Sequence, residues 1–143
     1  MINSFTDEYA FLSNFFEIPV TYRGITYQNS EAAFQAQKSL DPAVQAEFAA
    51  LDPQRAKRRG RRIALRADWE EVKFSEMLAI VTAKFEQHPE LAEKLLATGD
   101  EPLEEGNTWG DRTWGTVGGS GKNLLGKILM QVRDKLRSRQ KEQ

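Results

Sequence analysis

Cysteine is absent from this sequence of 143 residues, and histidine occurs once, as His88. The absence of cysteine excludes disulfides, thiol nucleophiles and thiolate metal sites. A single histidine excludes histidine-rich metal sites, and it limits Ser-His-Asp catalysis to His88. That residue stands next to Pro89, near a predicted helix end, which is typical of a structural or surface histidine.

Long apolar runs and an excess of one charge are also missing. No segment approaches about 18 consecutive apolar residues, and the first residues have neither the basic nor the apolar part of a secretory signal. We therefore expect an intracellular, cytoplasmic protein without a membrane partner. The 20 Lys and Arg residues against 21 Asp and Glu residues give a net charge of -1, which predicts no overall attraction to DNA.

The order of local signals predicts an α+β fold, a compact and helix-rich single domain over residues 1–143 with a small β-hairpin. Hydrophobic residues make up 40% of the chain and charged residues 29%, as in ordinary globular proteins. β-Branched and aromatic residues at 20–22 and 25–27 flank Arg23-Gly24, which is the pattern of a hairpin with a two-residue turn. A charged tail is expected from about residue 138.

Capping residues mark where the first helices begin. Asn29 or Ser30 caps a helix that reaches about residue 40. The Asp-Pro pairs at 41–42 and 52–53 each begin a short helix, because proline suits the first helical position. Asp68 begins the longest helix, which reaches about residue 87. Apolar residues in that helix follow the spacing of a buried stripe: Phe74, Leu78, Val81 and Phe85.

The last third of the chain predicts two helices with a long loop between them. Pro89 begins a helix that ends before Gly99. Glycine, aspartate, asparagine and threonine are frequent from Gly99 to Gly121, so that segment is expected to be loop with short strands at most. The final helix begins at about Asn123 and is expected to fray after Arg137.

One face of the predicted helix at 31–40 carries an unusual set of side chains: Glu31, Phe34, Gln35 and Lys38. At about 100° per residue they lie on the same side, and alanines opposite them suit close packing against a neighbour. An acid, an amide, an amine and an aromatic ring together can line a functional site. A solvated helix face with a weak ion pair has the same pattern, so both interpretations stay open.

A second feature is the polar loop at 109–121, which is rich in tryptophan and glycine and runs into the final helix. Glycines directly before a helix N-terminus can bind an anion, because free backbone N–H groups and the positive end of the helix dipole point to one place; Lys122 adds charge there. The loop is not a Walker A loop, since Thr116 stands where the first glycine belongs and Asn123 replaces the serine or threonine. A flexible loop followed by a helix cap is the alternative interpretation.

The third feature is a run of basic residues: Arg55, Lys57, Arg58, Arg59, Arg61, Arg62 and Arg66. Such a run is most often a solvated surface, but it can also bind the phosphates of a nucleotide or of DNA. A DNA substrate would use the whole run as an approach surface, whereas a small metabolite needs one or two of the charges.

Taken in order along the chain, a set of short motifs resembles the NADAR (YbiA-like) family. The motifs span residues 2–137: Phe11-Leu12-Ser13-Asn14-Phe15, Ser30-Glu31-x-x-Phe34-Gln35-x-x-Lys38, Gly60-Arg61, Asp68-Trp69-Glu70, Lys84-Phe85, Leu103-x-Glu105, Asp111-x-x-Trp114-Gly115 and Gly121-x-Asn123-x-Leu125-Gly126-x-x-Leu129-Met130-x-x-Arg133. Each motif is short, but their order makes the resemblance specific. The glycine loop at 118–121 is similar to that of the family without being identical.

The resemblance implies N-glycosidic chemistry on ribose, in a YbiA-like fold, with no metal or other cofactor. Some members hydrolyse phosphorylated ribosylamino-pyrimidine intermediates of riboflavin synthesis. Others remove ADP-ribose from guanine in DNA and so reverse the action of a toxin ADP-ribosyltransferase. Both kinds of substrate join ribose C1 to an exocyclic nitrogen. We expect ADP-ribosylated guanine in DNA as the substrate, with a toxin enzyme as functional counterpart, and a small ribosylamine phosphate as the alternative.

The resemblance also implies where the chemistry occurs. The glutamate, the tryptophan and the Asp-x-x-Trp-Gly aspartate of the family fall on Glu31, Trp69 and Asp111, and Gln35 and Lys38 match as well. We take Glu31 and Asp111 as the candidate acid and base. An exocyclic nitrogen allows the ribose ring to open to an imine, so Lys38 is predicted to act as a nucleophile that forms a Schiff base with C1.

Substrate binding is expected from further residues. Trp69 and Trp114 would stack on the base or line the pocket, and Asn14 and Asn123 would bind sugar hydroxyls or phosphate. Arg61 and Lys122 would neutralise phosphate beside the glycine loop that contains Gly121.

Two alternatives without catalysis remain, namely a module that binds ADP-ribose and a purely structural interaction domain. A module that only binds ADP-ribose has no need for Glu31, Lys38 and Asp111 together. A structural domain leaves the polar loop unexplained.

Overall fold

The structure, a computed structural model, describes residues 1–142 and divides into two compact units. The central unit holds residues 14–87, and the terminal unit holds residues 1–13 and 88–142. The helix-rich α+β class predicted from the sequence is confirmed. A single domain over the whole chain remains a prediction.

The β-hairpin of the central unit forms where the sequence predicts it. Strand β1 (Val20–Tyr22) pairs antiparallel with β2 (Ile25–Tyr27). Arg23 and Gly24 between them have φ angles of 50° and 85°, so both turn residues are left-handed. Two left-handed residues are what a type I′ turn requires, and its twist matches that of the flanking strands.

Four helices follow in the central unit: α1 (Ser30–Ala36), α2 (Pro42–Glu47), α3 (Pro53–Gly60) and α4 (Trp69–Gln87). Side-chain caps begin the first three. Asn29 accepts a hydrogen bond from the Ala32 N–H at 2.7 Å, and Asp41 and Asp52 cap α2 and α3 in the same way. These caps confirm the predicted starts, because each satisfies an N–H group that the helix itself leaves free.

The end of α1 differs from the prediction. The helix stops at Ala36, and the next N–H groups, of Lys38 and Ser39, donate to carbonyls three residues back. This tighter turn brings the chain to Asp41, which is extended in order to cap α2.

The buried side of α4 also differs from the predicted stripe. Val81 and Phe85 are buried as expected, but Phe74 is exposed and Leu78 is half-buried. The helix packs against β1 and α1 with a face displaced by about one residue, which includes the polar residues Glu76 and Lys84. Because this buried face includes polar residues, the spacing of the apolar residues alone does not locate it.

The terminal unit contains a short 3-10 helix (Asp7–Leu12), α5 (Pro89–Ala97) and α6 (Leu124–Lys141). Helix α5 packs against α6, and the buried apolar residues of the pair are Leu91, Leu95, Leu125, Ile128, Leu129 and Val132. Between the two helices the chain forms only isolated bridges, such as Gly106 with Thr116, as predicted.

Helix α6 is longer than predicted. It continues to Lys141 rather than fraying after Arg137, so the expected charged tail from residue 138 is helical over its first residues. The guanidinium of Arg137 donates to the Gly99 carbonyl at 2.7 Å and pairs with Asp100, which anchors this end of the helix. Gln143 lies outside the described residues. No helix within residues 1–142 has the length and apolar character needed to cross a bilayer.

Candidate active site

Helix α1 is buried on every side. It contacts α2, α3, α4 and both strands, and each of its residues is buried, including Glu31 at 7% exposure and Gln35 at 6%. The interpretation of this face as solvated is therefore wrong. Since a buried carboxylate or amide costs free energy unless it is hydrogen-bonded, the partners of these two side chains matter.

A hydrogen bond joins the Glu31 and Gln35 side chains of α1. Gln35 Nε2 donates to Glu31 Oε1 at 2.9 Å, one helical turn away. The Glu31 N–H donates to the Asn14 carbonyl at 3.1 Å, which ties the start of α1 to the preceding segment. The structure thus holds this carboxylate in one place.

Asn14 is bonded inside the central unit. Its Oδ1 accepts from Ser30 Oγ at 3.0 Å, and its Nδ2 contacts Met77 Sδ at 3.3 Å. The side chain therefore positions the N-terminus of α1. Its predicted contact with sugar or phosphate stays a prediction.

Lys38 follows α1 and is half-buried. Its Nζ donates to the Gly60 carbonyl, at the end of α3, at 3.3 Å. Burial lowers the pKa of this amine below its ordinary value; the Glu31 charge opposes the shift, and the positive charges of Arg61 and Lys57 add to it. A lowered pKa increases the fraction of neutral amine near neutral pH, and the neutral amine is the nucleophilic form.

An aromatic pair lies beside this cluster. Trp69, the first residue of α4, is 6% exposed, and its ring centroid lies 5.1 Å from that of Phe34 at an angle of 48°. Phe34 belongs to the same face of α1 as Glu31 and Gln35. The stacking of Trp69 on a substrate base stays a prediction.

The basic run of the sequence lies mainly on α3, and six of its seven residues form two groups; the seventh, Arg66, pairs with Asp68. Lys57 and Arg61 act on the Lys38 amine, as described above. Four arginines line a pocket of about 180 Å³ with Leu51, namely Arg55, Arg58, Arg59 and Arg62. In that pocket Arg55 pairs with Asp52 and Arg59 with Glu47. Arg58 and Arg62 have no acidic partner within residues 1–142, so this face has an excess of positive charge.

In the terminal unit, Asp111 organises its own loop. Its Oδ1 accepts from the N–H groups of Thr113 and Trp114 at 3.0 and 2.9 Å. The Asn107 side chain bonds both the N–H and the carbonyl of Asp111. The carboxylate is therefore held in a fixed position.

The expected anion site at the start of α6 is not formed by free N–H groups. The N–H groups of residues 122–125 donate to the carbonyls of residues 112–115, at 2.8 to 3.2 Å. That interpretation is wrong, because the preceding loop folds back onto the helix start and uses its donors. Asn123 is also occupied, since its side chain bonds the Glu105 N–H and the Leu103 carbonyl, both at 2.9 Å.

Gly121 lies between these segments in a conformation that requires glycine. Its φ is 149°, and a Cβ there would lie 2.4 Å from the Gly115 carbonyl oxygen. The Lys122 side chain is exposed. The predicted phosphate contacts of Gly121, Lys122 and Asn123 stay predictions.

The predicted site residues therefore fall into two groups. Asn14, Glu31, Gln35, Lys38, Arg61 and Trp69 belong to the central unit, and Asp111, Trp114, Gly121, Lys122 and Asn123 belong to the terminal unit. Gly60 occurs in a family motif and Lys57 in the basic run, but neither was predicted to act on Lys38, as both do in the structure. Both lie on α3 rather than on the helix that precedes Lys38, so helical spacing does not indicate these contacts. Within the described residues, no three histidine or acidic side chains come together to hold a metal ion.

Comparison with known proteins places these observations in a family context. The NADAR domain model matches residues 2–137. The chain is 44% identical over 137 residues to "N-glycosidase YbiA" of Escherichia coli, covering 93% of this chain and 85% of that protein. It is 40% identical over 134 residues to a riboflavin biosynthesis protein of Vibrio vulnificus, covering 91% of this chain and 36% of that protein.

The fold matches as well. The solution structure of the Escherichia coli protein YbiA superposes with a TM-score of 0.87 at 40% identity, over 100% of this chain and 90% of that chain. The expected YbiA-like fold is confirmed.

Proposed function

The chain belongs to the NADAR domain family, and from that premise we propose that it is an N-glycosidase of phosphorylated ribosylamines, releasing the amine from ribose C1. The names of its relatives support both the N-glycosidase activity and the ribosylamine substrate, since one is named an N-glycosidase and another a riboflavin biosynthesis protein. The observation that carries the proposal is the Lys38 amine, whose pKa burial lowers, next to the α1 helix that buries Glu31.

These groups suit an exocyclic C1–N bond. When the ribose ring opens, C1 and the exocyclic nitrogen form an imine. The neutral Lys38 amine adds to C1, the departing amine takes a proton and leaves, and a C1=Nζ imine remains. Water then adds to C1 and displaces Nζ, so the sugar is released as an aldehyde and Lys38 is regenerated. Glu31 moves the protons in both steps.

Borohydride trapping tests the role of Lys38. Reduction during turnover should fix the sugar on the protein, and mass spectrometry of peptides should place the added mass at Lys38. Lys38→Met should abolish the adduct, whereas Lys57→Met, at a lysine that acts on the same amine, should keep it. An active enzyme that gives no adduct would show that water attacks C1 directly.

Glu31→Gln tests the proton shuttle. Glutamine keeps an acceptor for Gln35 Nε2, so the local structure should persist. Turnover should fall on the order of 100-fold, a typical contribution of a general acid or base. Glu47→Gln, a surface acid that pairs with Arg59, is the matched control. Full activity of a folded Glu31→Gln protein would refute the assignment.

A second candidate substrate is ADP-ribosylated guanine in DNA, and the pocket lined by four arginines is the observation that favours it. Arg58 and Arg62 supply positive charge that a small metabolite at Lys38 does not need. With this substrate the functional counterpart would be a toxin ADP-ribosyltransferase.

An oligonucleotide with ADP-ribose on guanine tests this candidate. Wild-type protein should release the ADP-ribose mass, and the rate should fall with salt and with the double substitution Arg58→Gln/Arg62→Gln. Turnover of a ribosylamine phosphate should be unaffected by that double substitution. No release from the oligonucleotide would leave the small metabolite as substrate, and tight binding without turnover of either would favour a non-catalytic module.

A further inference from the structure

Gly60 has no conformational reason to be glycine. It ends α3, and its φ is not among the positive values of the chain. Glycine in a helix costs about 1 kcal/mol relative to alanine. A reason for glycine at this position must therefore come from what the residue contacts.

The contact is with the buried amide of α1. A Cβ at position 60 would lie 1.9 Å from Gln35 Oε1 and 2.7 Å from its Cδ. Real Cβ atoms do not approach other atoms so closely, so a side chain at position 60 would require the Gln35 amide to move. The Gln35 amide thus lies directly on the backbone of Gly60.

This contact also fixes where the amide lies. Gln35 Oε1 is buried with no N–H or O–H partner within residues 1–142, and it faces the Gly60 Cα, whose C–H group is a weak donor. Nε2 then points to Glu31. The reverse orientation would place the amide oxygen against the carboxylate, so Glu31 determines which end of the amide faces it, and the contact with Gly60 keeps the amide within reach of that carboxylate.

The same residue binds the candidate nucleophile. The Gly60 carbonyl accepts the hydrogen bond from Lys38 Nζ at 3.3 Å. We propose that Gly60 is a positioning residue of the active site, which sets Glu31 through the Gln35 amide and Lys38 through its own carbonyl. This inference rests on the proposed roles of Glu31 and Lys38, and it assigns to one residue of α3 the relative placement of both groups.

Kinetics of a double-mutant cycle test the proposal. Gly60→Ala should displace the Gln35 amide and lower kcat by about 10-fold or more, with a smaller change in KM, as expected for misplaced catalytic groups. In a Gln35→Ala background, which removes the clashing amide, the same Gly60→Ala change should cost much less. Gln54→Ala, on the exposed side of α3, should leave kcat unchanged. Equal losses in the two backgrounds, or no loss in either, would overturn the proposal.

A second measurement does not depend on turnover. The pH dependence of Lys38 labelling by an amine-reactive reagent, followed by mass spectrometry, reports the titration of this amine in each variant. Gly60→Ala should move the Lys38 midpoint to higher pH, because the displaced amide admits water, while exposed Lys127 in the same spectra serves as reference. If no ribosylamine is cleaved but the midpoint moves, the proposed function fails and the positioning role stands. An unchanged Lys38 midpoint in Gly60→Ala would overturn the positioning role.

Discussion

We expect the buried amine of Lys84 to make the stability of this protein depend on pH above neutrality. The side chain is 1% exposed on α4, with the Phe16 and Phe85 ring centroids 5.8 and 5.4 Å from Nζ. Burial lowers the pKa of Lys84 from 10.5 to about 7. Burial disfavours the charged amine. The free energy of unfolding is therefore lowest at pH values where Lys84 is protonated in both the folded and the unfolded state.

The pKa shift of Lys84 sets the direction and size of the effect. Above the unfolded pKa of 10.5 the amine is neutral in both states, and burial of charge costs nothing. As the pH falls toward about 7, the unfolded chain takes up the proton before the folded protein does, so the free energy of unfolding decreases; below that it levels off. At about 1.4 kcal/mol per pKa unit, the total change is on the order of 5 kcal/mol.

Urea unfolding, followed by circular dichroism, measures how the free energy of unfolding depends on pH. The measurement covers about pH 6 to about pH 10 for wild type, Lys84→Met and Lys127→Met. Wild type and the exposed control Lys127→Met should gain stability with rising pH, and Lys84→Met should lack several kcal/mol of that gain. The comparison uses the slope, since lost packing changes stability by the same amount at every pH. Parallel curves for wild type and Lys84→Met, within about 0.5 kcal/mol, would refute the reasoning.

Three further substitutions test the local structure. Asn29→Ala removes a buried helix cap and should cost about 2 kcal/mol in urea unfolding; a loss under about 0.5 kcal/mol would contradict the cap. The family resemblance implies Asp111 as a further acid or base; Asp111→Asn keeps an acceptor for the loop N–H groups but removes the charge, so under that assignment kcat should fall on the order of 100-fold at unchanged stability, whereas unchanged kcat would leave a structural role alone. Gly121→Ala should cost more than Gly118→Ala, because both have positive φ but only Gly121 meets a backbone oxygen, that of Gly115; equal costs would speak against the clash.

Structural elements that depend only on residues close in the chain could be predicted from the sequence. The Asp-Pro pairs at 41–42 and 52–53 begin α2 and α3 as predicted, because a cap and a fixed proline φ act within one turn. The hairpin follows from its two turn residues. Helix ends were less accessible: α1 stops early at Ala36, and contacts of Arg137 with residues 99–100 anchor the far end of α6.

Only part of the candidate site could be predicted from the sequence. Helical spacing places Glu31 and Gln35 on one face, and the family motifs mark the same residues. Spacing does not say what covers that face, so a solvated helix and a buried site had the same pattern. The contacts of Gly60 with Gln35 and Lys38 join residues more than twenty positions apart, which no local pattern encodes.

By itself, the sequence determined the fold class, the starts of the helices, the hairpin and membership of the NADAR family, because these depend on local geometry and on ordered motifs. Tertiary structure alone decided that α1 is buried on every side, that the pKa of Lys38 is lowered, and that the N–H groups at the start of α6 bond to the preceding loop. Burial, desolvation and the choice of hydrogen-bond partner depend on which distant segments pack together, and that is settled only when the chain folds.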